Sequence, residues 1–175
     1  MEDIDKLKYP IGKYRPAESI DTELIQEWIN QITVLPSDLR TITVELSTED
    51  LEKTYRPGGW TIRQIIHHIA DSHTNSLIRF KWALTEDRPE IKAYHEDRWA
   101  ELTDSSEAPI ELSIDFIDAL HKKWVYLLRS MNNEQWDRVF KHPETGKEIS
   151  LKKNLGLYAW HGNHHLAHIK NALSR

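Results

Sequence analysis

Thr61-Ile62-Arg63-Gln64-Ile65-Ile66-His67-His68-Ile69-Ala70-Asp71-Ser72-His73 opens on a helix start and then carries three histidines. Thr61 with Gln64 three residues on makes a capping box, in which each side chain takes an orphan N–H of the other end. Ile62, Ile65, Ile69, Leu77 and Phe80 recur at helical spacing, so one apolar stripe runs down this segment. Arg56-Pro57-Gly58-Gly59 breaks the chain before it and Asp87-Arg88-Pro89 after it, which predicts a helix to about Leu84.

Outward from this helix the same period returns three times. Ile20, Leu24, Ile25, Trp28, Ile29, Ile32 and Leu35 form a stripe that Pro36 should end or kink, with Leu39 to Leu46 continuing beyond. Phe116, Ile117, Leu120, Trp124, Leu127 and Leu128 mark the inner face of a helix from about Glu111 to Asn132-Asn133. Ser150 caps the last helix, with Leu151, Leu155, Tyr158, Leu166, Ile169 and Leu173 inward. The polar start through Pro10 and Pro16 reads as an extended arm, and Ser47-Thr48-Glu49-Asp50 as a short helical turn. Residues 86–110 read as a long loop with one turn at Glu96 to Leu102, and Val139 to Ile149 as an irregular connection or small hairpin. Four long amphipathic helices without a clear strand predict an all-α, four-helix bundle with long inter-helix loops, one domain over residues 1–175.

The chain has 175 residues, 10 histidines, no cysteine and a formal net charge of −5. Absent cysteine excludes disulfides, thiolate metal sites and cysteine nucleophiles. The acidic balance, with no basic run, argues against nucleic acid as a partner. No stretch reaches the ~20 apolar residues of a membrane helix, and the first thirty residues lack a signal peptide's apolar block, so a cytoplasmic location is expected. Any metal ligands must be histidines or carboxylates.

Seven histidines fall in two helices: His67, His68 and His73, then His161, His164, His165 and His168. Residues four apart share a helix face, so His161 and His165, or His164 and His168, can reach one ion together. A catalytic ion needs a third protein ligand, and His67 and His68 lie at opposite edges of the facing stripe. The His68 edge continues through Ser72 and Asn75 without charge until Arg79, as a pocket wall would, whereas Arg63 and Asp71 suggest solvent around His67. Lone histidines near an apolar face are more often hydrogen-bonded core residues than ligands. His73, His164 and His168 are the candidates for a solvated face without function.

Gly58 to His73, together with Trp160-His161-Gly162-Asn163-His164-His165-Leu166-Ala167-His168-Ile169, resembles the DinB/YfiT-like four-helix metalloprotein family, nearest its YfiT branch of metal-dependent hydrolases and bacillithiol transferases. The resemblance runs over nearly the whole chain from Tyr9-Pro10-Ile11-Gly12. It implies metal ligands at His68, His161 and His165, a bound zinc or nickel ion, and a homodimer. Many members carry Arg-Gly-Gln where this chain has Leu166-Ala167-His168, so the partner at His168 is a departure from the pattern.

An ion on three neutral imidazoles can polarise a carbonyl, lower the pKa of bound water toward ~7, or hold a thiol in its reactive thiolate form. The first two give a hydrolase and the third a thiol transferase, whose thiol must come from a co-substrate such as bacillithiol. The resemblance favours transfer to a small electrophile. A metal- or ligand-binding bundle without turnover is the alternative of another class. Arg79 and Asn75 are candidates to orient an anionic substrate and Glu96, in the long loop with Asp97 and Trp99, a candidate general base. Asp71 can accept a ligand's N–H or pair with Arg63. Trp28, Trp82, Trp124 and Trp160 read as core or dimer-interface aromatics.

Overall fold

In the computed structural model, which describes residues 4–175, each long helix starts on a side-chain or proline cap and buries the stripe its sequence carries. In chain order the elements are α1 Ile4–Lys8, α2 Thr22–Thr43, α3 Thr48–Leu51, α4 Ile62–Thr85, α5 Glu96–Trp99, α6 Thr103–Ser106, α7 Ile110–Ser130, α8 Asn133–Asp137, β1 Val139–Lys141, β2 Glu148–Ser150 and α9 Leu151–Leu173. The Thr61–Gln64 capping box is formed at the head of α4. β1 and β2 make the small hairpin, pairing Val139 with Ser150, Phe140 with Ile149 and Lys141 with Glu148.

The helix directions follow from which halves share a core. One apolar cluster joins Ile25 and Ile29 of α2, Leu77 and Phe80 of α4, Trp124 and Leu128 of α7, and Leu151 and Leu155 of α9. The other joins Leu35 and Leu39, Ile62 to Ile69, Ile110 to Ile117, and Leu166 and Ile169. Helices α2 and α9 therefore run the same way, as do α4 and α7. The packed neighbours are α2 with α7 and α9, and α4 with α7 and α9. Because α4 and α7 are parallel, the chain must return along a bundle roughly 36 Å long at ~1.5 Å per residue. That return is the long loop of residues 86–109. It is pinned by the Ile91 N–H on the Lys141 carbonyl at 3.1 Å and by the Gln64 amide donating to the Ala100 carbonyl at 2.8 Å.

Several expectations need correction. The start is not wholly extended: Ile4–Lys8 is a helical turn. Of the two outcomes expected at Pro36, the helix does not end there: α2 continues through it to Thr43, as the Leu39 to Leu46 stretch allowed. Phe116 faces solvent, and Ile117 beside it takes the core position. Asn132 does not simply end α7 but caps a further turn, α8. No helix among the described residues is long and apolar enough to cross a membrane.

Candidate metal centre

The two apolar clusters are separated by a polar stratum. On α4 it comprises Asp71 to Ser76, on α7 His121, and on α9 His161 to His165. Antiparallel packing of α4 against α9 brings the middles of the two helices together, and there the histidines meet. His68, His161 and His165 each offer a ring nitrogen, all within 4.8 Å of one another, and they form the sole such group of three among the described residues. The Nε2 atoms of His68 and His161 are 3.2 Å apart. The ring centroid of His165 lies 4.9 Å from that of His68 and 4.5 Å from that of His161.

These imidazoles are uncharged at neutral pH. Burial pulls His68 down to about 4. Burial first, and neighbouring histidines second, hold His161 and His165 well below the ordinary value. A neutral imidazole keeps a lone pair for a metal, and three of them on two helices match the shell of a catalytic zinc, with open positions left over. The donor set therefore fits a divalent ion. Trp60, placed just before the Thr61 cap, lies against His68 at a centroid distance of 4.6 Å and walls one side.

His67 points elsewhere. Its Nδ1 meets the Ser113 hydroxyl at 2.7 Å and its Nε2 meets the Ala108 carbonyl at 3.2 Å, so both nitrogens are used. Arg63 is not a sign of solvent there: it is buried, bonding Glu52 and the Ala108 carbonyl. It does not pair with Asp71. The Asp71 carboxyl is pushed up to about 6 by burial and then by Asp104, and among the described residues no histidine donates to it.

The solvated reading of His73, His164 and His168 is also corrected, since all three are buried. His73 lies between His161 and His121. His164 stacks on Trp160 at 4.3 Å. His168 sets its Nε2 3.1 Å from the Lys8 carbonyl, which only accepts, and its Nδ1 3.4 Å from His165 Nδ1. The α1 turn thus supplies the carbonyl that orients His168 beside a candidate ligand.

Two chambers open onto the cluster, of about 410 and 500 Å³, and His161, Glu96 and Asp97 line both. The smaller holds Arg79, Tyr94, Tyr158 and His142; the larger holds Trp60, His68 and His165. Arg79 donates to the Tyr158 hydroxyl at 3.3 Å and has no carboxylate partner among the described residues, so its charge faces the chamber. Glu96 stands at the rim of both chambers; partial burial of its carboxyl raises its pKa, with Asp97 adding and Arg79 opposing. Asn75 turns its amide back to the Asp71 carbonyl at 2.9 Å, away from a substrate role. Sequence reasoning missed Tyr158 as a chamber residue, although its place three residues before His161 puts it on the same face. It also missed Tyr94 and His142, which arrive from the crossover and the hairpin and carry no local signal.

Residues 31–169 match the DinB superfamily. A protein of Oceanobacillus iheyensis is 52% identical over 168 residues, 96% of each chain, and one of Bacillus cereus strain B4264 is 48% identical over 172 residues, 98% of each. Both bear the name "putative metal-dependent hydrolase". The solved structure of YfiT from Bacillus subtilis, described as a probable metal-dependent hydrolase with an unusual four-helix bundle topology, superposes with a TM-score of 0.94 at 45% identity, covering 97% of each chain.

Proposed function

Because this chain belongs to the DinB superfamily, we propose that it is a metal-dependent enzyme holding one divalent ion, zinc before nickel, on His68, His161 and His165, and that it transfers a low-molecular-weight thiol, bacillithiol, to small electrophiles. The observation that carries this reading is the meeting of two chambers at one cluster of neutral imidazoles. Transfer between two organic molecules needs two places beside the reacting atoms, and no cysteine exists in the chain to supply the thiol internally. Bound there, the ion supplies Lewis acidity toward a thiol, a water or a carbonyl.

The protein's own groups divide the remaining work. Arg79, steadied by Tyr158, attracts and orients an anionic group in the smaller chamber. Glu96, reaching both chambers and held above the usual carboxylate range, takes up the proton that the nucleophile loses. Trp60 packs against His68 and walls one side of the larger chamber. Hydrolysis is the second reading, favoured by the names of the relatives and by a rim carboxylate suited to activating water. A cytoplasmic homodimer belongs to the same proposal; the open groove between α2 and α7, lined by Pro36, Val125 and Tyr126, offers it apolar surface.

Metal analysis of the purified chain should find about one divalent ion per chain, lost in His161→Ala and in His165→Ala. Unchanged metal in both variants refutes the site. Incubation with bacillithiol and monochlorobimane should give conjugate that a chelator abolishes. Conjugate absent but esters or amides cleaved makes the protein a hydrolase, and silence on both makes it a binding bundle.

A further inference from the structure

Pro36 sits within α2 and has no N–H, so the carbonyl four residues earlier, that of Ile32, lacks its helical donor. That carbonyl is met at 2.7 Å by Nδ1 of His121, from α7. A carbonyl oxygen only accepts, which places a proton on His121 Nδ1 and leaves its Nε2 as a lone pair. His73 Nδ1 lies 2.9 Å from that lone pair and must donate to it. The same reasoning passes along: His73 Nε2 is then the acceptor for His161 Nδ1, 3.2 Å away. His161 is left with its Nε2 unprotonated, 3.2 Å from His68 Nε2 within the candidate metal centre.

We propose that His121 and His73 form a tautomer relay, anchored on the Ile32 carbonyl that Pro36 leaves free, which fixes His161 as the Nδ1–H form with its Nε2 lone pair directed at the metal position. His121 and His73 are positioning residues: neither belongs to the group of three, and both are buried away from the chambers' rims. The rings are held in register by packing as well as by hydrogen bonds. The His73 and His121 rings are nearly parallel, 13° apart with centroids at 4.9 Å, as an edge-to-edge N–H···N bond requires, and Trp124 and Tyr158 stand edge-on to His73 at 88° and 82°. A ligand imidazole whose other nitrogen donates to a fixed acceptor loses no free energy to the wrong tautomer when the ion arrives. Here the acceptor is another imidazole, itself fixed by a third, and the chain ends on main chain.

The proposal rests on His161 as a ligand only for its consequence on metal affinity; the tautomers themselves are testable without metal. In metal-free protein at neutral pH, ¹⁵N-resolved imidazole spectra should show His121, His73 and His161 each protonated on Nδ1. A proton on Nε2 of His161 or His121 overturns the relay, whatever any variant does. In His121→Leu, His73 loses its acceptor, the relay reverses, and Zn2+ affinity measured against a competing chelator should fall about 10- to 100-fold. His121→Gln, with an N–H for Ile32 and an oxygen for His73, should recover most of that loss. A His121→Leu chain with native circular dichroism, unchanged affinity and unchanged His161 tautomer also overturns it. Wild-type protein that shows the three Nδ1–H forms yet binds no Zn2+ upholds the relay and refutes the ligand assignment instead.

Discussion

His67 and His68 are neighbours on one helix with opposite duties, and the difference lies in what each ring nitrogen can reach. His67 spends both nitrogens tying α4 to the head of α7, through Ser113 and the Ala108 carbonyl. His68 turns toward α9, and its Nε2 meets His161. His67→Ala should therefore keep the metal stoichiometry while lowering stability in urea by about 1–3 kcal/mol, because buried partners lose their bonds. Metal loss with unchanged stability would reverse the two roles. The uncharged edge through Ser72 made His68 the better candidate in the sequence. The supposed solvent around His67 was misread because Arg63 is neutralised by Glu52, which lies in the segment after α3, eleven residues earlier. No local pattern announces such a partner.

At the level of elements, glycines set how close the parallel pair α2 and α9 can lie. A Cβ at Gly156 would come within 2.7 Å of the Trp28 ring, and one at Gly162 within 2.6 Å of Leu35. Gly156→Ala should destabilise the protein by about 1–3 kcal/mol in urea unfolding, since a rigid indole cannot yield as a flexible side chain does. An unchanged midpoint would mean the helices separate at no cost. The helix stripes and the Thr61 and Ser150 caps were legible, because period and capping are local properties. Continuation past Pro36 was legible as one of two outcomes, but what tolerates the proline was not: a histidine on another helix donates to the freed carbonyl. The crossover of residues 86–109 was legible as a loop, but its length has a cause only once α4 and α7 are known to be parallel.

Across the whole molecule the histidine stratum splits the core in two, and this gives stability a pH dependence. Burial holds His68 and His121 down to about 4. Unfolded histidine titrates near ~6.5, so the unfolded chain binds more protons below that value and stability falls as pH drops toward 4. Each of the two should cost on the order of 2 kcal/mol by pH 5, opposed by a smaller gain from half-buried Asp71, whose pKa is raised to about 6. The melting temperature of metal-free protein should decrease from pH 7.5 to pH 5. A flat profile would mean that these imidazoles are already charged, or solvated, in the folded chain. The sequence by itself determined the all-helical class, the four amphipathic stripes and the histidine-bearing faces, since periodicity and residue type act over a few turns. Only the tertiary structure decided which helices run parallel, that His67 is structural, and that His73 and His121 stand in line behind His161. Those are matters of distance between residues 41 to 93 positions apart in the chain, and they are fixed by packing rather than by local pattern.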